Sequence, residues 1–286
     1  MRQLLKLTFI GFLLFIFVGI TQAKSTVPDL SHATWMSHQH DKPVASAIVA
    51  VEPSQPVEGE SVTYSRLDGK PITGYLARPT NTDGNLPGLI VIHEWWGLNE
   101  NIQMMTRRLA GEGYVALAVD LYEGEVASEP EKALELLRES QEKTRRLKQN
   151  IRQAYRYLET KQNVEKIASI GWCFGGTWSL NTALLFPRKL DAAVIYYGGG
   201  LETNPDRLKS LQMPILGIFG ELDKNPSVET VRAFEAALQQ LDKSAEIHIY
   251  ENADHAFANP SGTRYNAVAA QQAWQETTEF LAQHLK

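Results

Sequence analysis

Ile167-Ala-Ser-Ile-Gly171-Trp-Cys173-Phe-Gly175-Gly176, continued by Thr177-Trp-Ser-Leu-Asn-Thr-Ala-Leu-Leu185 and halted near Pro187, decides how this chain is read. A short apolar run enters a turn flanked by glycines, and a helical stretch leaves it. That is the strand–turn–helix context of a nucleophile elbow, with cysteine at the position where serine is usual. The glycines have a physical reason: in so tight a turn a side chain at 171, 175 or 176 would clash, and the nucleophile itself takes a strained backbone conformation. A sulfur at a helix N-terminus also has its thiolate stabilised by backbone N–H groups and the helix dipole. The alternative is a buried structural thiol, the commoner fate of a lone cysteine; the glycine pattern and the strand-to-helix position favour the nucleophile.

Such a nucleophile needs a base and an orienting acid, which follow it in the order acid, then histidine. Ile215-Leu-Gly-Ile-Phe-Gly220-Glu-Leu-Asp223 reads as a strand that delivers Asp223 at its carboxyl end, with Glu221 as a weaker rival. Ile247-His-Ile-Tyr250 is the next strand, and Asp254-His255-Ala-Phe257 the loop behind it. Open α/β sheets place their sites at the carboxyl ends of strands, so Cys173, Asp223 and His255 can converge there. His248 falls inside a strand, as a packed or surface residue, and Asp254 is adjacent to His255 and points elsewhere.

Outward from this centre, apolar runs alternate with amphipathic stretches. Leu89–His93, Tyr114–Val119, Ile167–Gly171, Ala192–Tyr197, Ile215–Phe219 and Ile247–Tyr250 are the predicted strands. Nearly continuous apolar strands separated by helices indicate a mostly parallel sheet with helices on both faces. Ser61–Leu67 and Ile72–Arg78 around Asp68-Gly69 predict an antiparallel hairpin ahead of it. Ile102, Met105 and Leu109 lie at helical spacing after Asn99. Ser128-Glu-Pro-Glu131 reads as a capping box opening one long helix with Leu147, Ile151, Tyr155 and Leu158 on its apolar stripe. No repeat or linker divides residues 61–286, which are expected to form one domain.

Residues 1–23 show a basic start at Arg2 and Lys6, a fourteen-residue apolar run from Leu7 to Ile20, and a small-residue exit at Ala23. This is the pattern of a secretory signal peptide, and the run is shorter than the roughly 20 residues a spanning helix needs. Cleavage after Ala23 is expected, with an uncleaved anchor as the alternative. It would leave a periplasmic or secreted protein without stable membrane insertion, and would take the net charge from −5 to −7. Residues 24–60 read as an extended lead-in carrying His32, His38 and His40, exposed histidines without paired ligands. No metal site is assigned to them. One cysteine in 286 residues excludes a disulfide framework and a thiolate metal cluster, and 33 acidic against 28 basic residues with no basic stripe argue against nucleic acid.

The loop His93-Glu94-Trp95-Trp96-Gly97 begins like a zinc-protease motif but has glycine where the second histidine must stand. Its position after the first parallel strand is instead where an oxyanion hole takes one backbone N–H, the other coming from the residue after the nucleophile. Trp95 and Phe174 are thereby assigned to the oxyanion. Trp95 and Trp96 wall an apolar pocket or serve as plain core.

Taken in order, His93-Glu94-Trp95-Trp96-Gly97, Asp120-Leu-Tyr122, Gly171-Trp-Cys173-Phe-Gly175-Gly176, Gly220-Glu-Leu-Asp223 and Asp254-His255-Ala-Phe257 resemble the dienelactone hydrolases (carboxymethylenebutenolidases) over roughly residues 60–284. The resemblance implies an α/β-hydrolase fold, a Cys173–Asp223–His255 triad, and hydrolysis of an enol-lactone or ester without a cofactor; a monomer acting on a small-molecule substrate is expected. It also implies a role for Glu94, as a carboxylate that accepts the thiol proton when substrate arrives and otherwise keeps the sulfur protonated; the other reading of Glu94 is a surface-facing cap. Trp96, Tyr122 and Phe257 are expected to line the substrate pocket. The chain departs from the family's pattern where two arginines should hold a substrate carboxylate: those positions carry Glu123-Gly124 and Asn259, with Arg264 the nearest replacement. Neutral esters are therefore expected as substrates. The same fold could instead serve a non-catalytic ligand-binding protein or a thiol-redox protein.

Overall fold

The computed structural model describes residues 30–41, 52–80 and 85–286; the expected signal peptide lies outside them. Five strands, β3 (Gly88–Ile92), β4 (Val115–Val119), β5 (Ile167–Trp172), β6 (Ala192–Tyr196) and β7 (Ile215–Gly220), are buried at every residue. Successive side chains of a strand point to opposite faces, so burial at every position requires both faces of the sheet to be covered. The edge strand β8 (Ala245–Tyr250) is only half-buried. The predicted hairpin forms as β1 (Val57–Leu67) and β2 (Lys70–Pro79), with Asp68 and Gly69 both at positive φ in the turn.

The order β1-β2-β4-β3-β5-β6-β7-β8 makes one eight-stranded sheet, antiparallel across β1, β2 and β4 and parallel from β4 onward. From β3 the chain crosses to β4 on one side, and from β5 it moves to β6 on the other. The crevice between neighbouring β3 and β5 is therefore a topological switch point, where ligands of open α/β sheets bind. Ile92 pairs with Gly171 at its mouth. Two residues beyond each of these stand Glu94 and Cys173.

The helices, in chain order, are α1 (Leu30–His38), α2 (Glu100–Gly111), α3 (Pro130–Glu142), α4 (Thr144–Lys161), α5 (Phe174–Leu185), α6 (Pro205–Leu208), α7 (Val228–Gln240) and α8 (Ala267–Leu285). Asn99 caps α2, its side chain accepting from the Ile102 N–H at 3.2 Å. None of these helices is long and apolar enough to cross a membrane.

Two expectations are corrected here. The single long helix is broken at Lys143 into α3 and α4, and its capping box is not made: the N-cap is Glu129, without a side-chain bond, and Pro130 starts the helix. The lead-in is not extended throughout, because Leu30–His38 coils into α1 and Val57 already belongs to β1.

Candidate active site

Cys173 stands between β5 and α5 at φ 56° and ψ −115°, a left-handed conformation that a non-glycine residue adopts only under constraint. Its N–H donates to the Tyr196 carbonyl at 3.1 Å, which ties the elbow to β6. The glycines around it have the reason the sequence suggests. A Cβ on Gly171 would lie 2.2 Å from the Gly175 carbonyl oxygen, one on Gly175 2.1 Å from that of Ile92, and one on Gly176 2.3 Å from that of Tyr196. All three obstacles are backbone and cannot rotate away. Gly175→Ala is accordingly expected to destabilise the fold by about 3 kcal/mol or more, the upper end of overpacking costs. Urea denaturation checks it, and a loss below about 1 kcal/mol would mean that the elbow is not close-packed.

The loops after β7 and β8 bring the acid and the histidine to the sulfur. Asp223 and His255 are both buried, and the His255 Nδ1 lies 2.7 Å from Asp223 Oδ2. The other carboxylate oxygen of Asp223 accepts the Asn225 N–H at 2.7 Å, which holds the acid in place. Glu221 is exposed and accepts the Asn252 N–H, so it does not orient the histidine. Asp254 accepts the backbone N–H of His255 and stabilises the loop. His248 lies in β8 with its Nδ1 3.3 Å from Glu276.

Burial alone would push the Cys173 thiol up, but the His255 and His38 imidazoles outweigh it and draw it down to about 5. Burial disfavours the charged form of His255, yet Asp223 and the sulfur hold it well above the usual histidine range. The electrostatics thus favour a thiolate–imidazolium pair.

Glu94 is 3% exposed and raised to about 8, first by burial and then by the nearby sulfur and Asp41, with His255 and Arg264 pulling the other way. At neutral pH it is mainly the acid, so it does not oppose the thiolate as a charged carboxylate would. Its Oε2 accepts from Asn259 Nδ2 at 2.5 Å. Asn259, which the sequence offered only as a missing arginine, is the residue that orients Glu94. An acid whose folded pKa is raised stabilises the fold fully below its ordinary pKa and loses that contribution as pH climbs through the folded value. Wild type should therefore lose stability relative to Glu94→Gln between about pH 4.5 and 8, at up to about 1.4 kcal/mol per pH unit. Cys173, His255, Asp41 and Arg264 surround position 94 in both proteins, so the difference between them isolates the titration of the Glu94 carboxyl. Parallel stability–pH curves from urea melts would rule the effect out.

His93 explains why its motif resembles a metal site without being one. Its Nε2 accepts the Leu121 N–H at 3.1 Å, so Nδ1 carries the proton and donates to the Glu94 carbonyl at 2.6 Å. Burial lowers it to about 4 and keeps it neutral. The ring ties the loop after β3 to the loop after β4. There Asp120 accepts the Tyr122 and Gly124 N–H groups.

The structure adds a residue whose sequence context places it in an exposed tail. His38, at the end of α1, is 2% exposed, and its Nε2 lies 3.7 Å from Cys173 Sγ. Its ring lies 4.7 Å from those of both Trp95 and His255. Asp41 holds its Nδ1 at 2.6 Å. The His-x-x-Asp spacing was the one local sign, and nothing near it pointed to a cysteine 135 positions away. Arg264 does reach this region, but its Nη2 lies 2.5 Å from Asp41 and 2.9 Å from His38 Nδ1, so its guanidinium is already engaged within the chain.

A cavity of about 550 Å³ opens on Cys173 and His255, lined also by Thr34, Leu137, Trp178 and Asn181. The expected pocket residues are not among its walls. Trp96 is buried against Trp95, Tyr122 against His93 and Phe174, and Phe257 against Tyr197 and Tyr250. They support the loops instead, because their aromatic faces find partners in the core. Trp95 and Phe174 are both buried beside the elbow, and neither backbone N–H donates to an acceptor among the described residues.

Residues 72–285 match the model of the dienelactone hydrolase family. A protein of Saccharolobus solfataricus named "Putative carboxymethylenebutenolidase" is 34% identical over 264 residues, covering 78% of this chain and 98% of its own. One of the same name from Escherichia coli K12 is 33% identical, over 85% of this chain and 93% of its own. The crystal structure of a Klebsiella pneumoniae protein described as a "Putative Dienelactone Hydrolase" superposes with a TM-score of 0.71 at 29% identity, over 80% of this chain and 100% of that one.

Proposed function

The chain belongs to the dienelactone hydrolase family of ester and lactone hydrolases, and we propose that it cleaves uncharged esters or lactones through an acyl-enzyme on Cys173. The observation that carries this reading is the convergence of a strained, buried cysteine with a histidine whose Nδ1 is bonded to a buried aspartate at 2.7 Å. Cys173 Sγ attacks the carbonyl carbon, and the oxyanion is held by the Trp95 and Phe174 N–H groups. His255 gives its Nε2 proton to the departing alkoxide, leaving a thioester. The neutral His255 then takes a proton from water, which attacks the thioester; the carboxylic acid leaves, and the thiolate–imidazolium pair is restored.

Rapid acid quench of turnover on a 4-nitrophenyl ester, followed by mass spectrometry, should find one acyl group on the peptide containing Cys173. Turnover with that peptide unmodified, even with a slowly deacylating ester, would refute the covalent route. The absence of arginine at positions 123, 124 and 259 and the engagement of Arg264 by Asp41 support neutral substrates. Dienelactone, which carries a carboxylate, is therefore expected to give a lower kcat/KM than a neutral ester of similar reactivity. The reverse order would assign the substrate carboxylate to Arg207, the cation on the cavity wall, whose guanidinium is paired with Glu202. We further propose export with removal of residues 1–23, so N-terminal sequencing of the periplasmic or secreted protein should begin at Lys24.

A further inference from the structure

Cys173 Sγ and one ring nitrogen from each of His38 and His255 come from three distant parts of the chain, are all buried, and lie within 4.8 Å of one another. We propose that these three atoms form a binding site for a borderline divalent cation of the Zn²⁺ type, and that occupancy of this site reversibly shuts down ester hydrolysis. The binding claim stands on geometry alone; only the inhibition rests on the acyl-enzyme reading.

The donor set selects the ion. One thiolate with two imidazoles suits zinc and its neighbours, whereas magnesium and calcium require oxygen ligands. Zn–S and Zn–N bonds of about 2.3 and 2.0 Å at a tetrahedral angle set sulfur and nitrogen about 3.5 Å apart, and Sγ and the His38 Nε2 are separated by 3.7 Å. Among the described residues the His255 Nε2 is buried without a hydrogen-bond partner, so it can supply the third bond.

Both imidazoles are also set up as metal ligands usually are, with the remote nitrogen held by a carboxylate that fixes ring orientation and leaves Nε2 available. Asp41 holds His38 Nδ1 at 2.6 Å, and Asp223 holds His255 Nδ1 at 2.7 Å. Arg264 in turn braces Asp41 at 2.5 Å. Three protein ligands with the cavity in front leave a fourth position for water.

Coordination and catalysis exclude each other. A sulfur bonded to the ion cannot attack a carbonyl, and an Nε2 bonded to it cannot carry a proton. On binding, the ion replaces the single proton shared by Cys173 and His255, which is released to solvent. His38, which the acyl-enzyme route does not use, is the ligand that turns a nucleophile–base pair into a metal site.

The test uses the full chain freed of metal by chelation and titrated with Zn²⁺, or with Co²⁺ for its spectrum. We expect one ion per chain, a thiolate-to-cobalt charge-transfer band in the near ultraviolet, and 4-nitrophenyl acetate hydrolysis that falls with occupancy and returns with EDTA. His38→Ala should weaken Zn²⁺ binding at least tenfold, and Asp41→Asn about tenfold, as removal of an orienting partner does; His38→Gln replaces His38→Ala if circular dichroism shows the latter unfolded. A Co²⁺ complex without the band, or a His38 variant that binds Zn²⁺ as tightly as wild type, would overturn the proposal. If hydrolysis is intact but the band is missing, the metal site fails and the acyl-enzyme stands. If the band and His38 dependence appear in a protein that hydrolyses no ester, the metal site stands and the acyl-enzyme fails.

Discussion

Cys173→Ala is expected to lower kcat/KM for an activated aryl ester by at least ~10⁴-fold, the scale seen when the nucleophile of a hydrolytic triad is removed. The residual rate would come from substrate binding and the oxyanion donors, which the substitution leaves in place. The fold should survive: the side chain is small, and the strained turn is held by Gly171, Gly175 and the bond from the Cys173 N–H to Tyr196. Measuring the urea midpoint beside the kinetics separates lost chemistry from lost structure. Retention of wild-type kcat/KM would remove Cys173 from the mechanism and favour a hydrolytic route elsewhere. The same variant bears on two rivals. A non-catalytic binding protein would bind esters equally well with cysteine or alanine and turn over neither. A thiol-redox protein would form mixed disulfides at Cys173 faster than it forms the acyl-enzyme.

Asp223→Asn should cost nearly as much, ~10³–10⁴-fold in kcat, with little change in KM. The amide keeps the size of the side chain but can present its N–H to His255 Nδ1, which drives the imidazole proton to Nε2 and leaves no lone pair facing the sulfur or the attacking water. A second consequence can be read without substrate. Asp223 is the largest influence holding His255 up, and charged His255 is the largest influence drawing Cys173 down. Removing the carboxylate therefore lowers the histidine and raises the thiol above about 5, so the thiolate titrates at higher pH. The pH dependence of iodoacetamide alkylation reports this directly. A variant with normal kcat and an unmoved alkylation profile would show that Asp223 only packs against the ring, and Glu221, exposed and turned to Asn252, offers no substitute.

The two faces of the Glu94 environment show how the site differs from its sequence outline. Glu94 was expected as the charge that keeps sulfur protonated; buried and bonded to Asn259, it is favoured as the neutral acid, while the histidines stabilise the thiolate. The sign of the effect depends on solvent exclusion, which no local motif encodes. Tyr122 and Phe257 are a similar case. Their positions in the motifs are correct for the neighbourhood of the site, but whether an aromatic ring faces a cavity or a packed loop depends on residues such as Phe174 and Tyr197 from other strands.

What the amino-acid sequence determined by itself was whatever local pattern controls. The buried strands follow from unbroken apolar runs, and the hairpin follows from alternation around Asp68-Gly69. The elbow at Cys173 follows from glycines whose missing Cβ atoms the backbone requires, and the order of Asp223 and His255 follows from the ends of successive strands. The tertiary structure alone decided which distant groups meet: His38 with Cys173, Asp41 with Arg264, and Glu94 with Asn259 are 135, 223 and 165 residues apart. It also decided the break at Lys143, where neither glycine nor proline marks a helix end. Local propensities act over a few residues, whereas these contacts depend on packing, burial and charge compensation, which exist only once the chain has closed on itself.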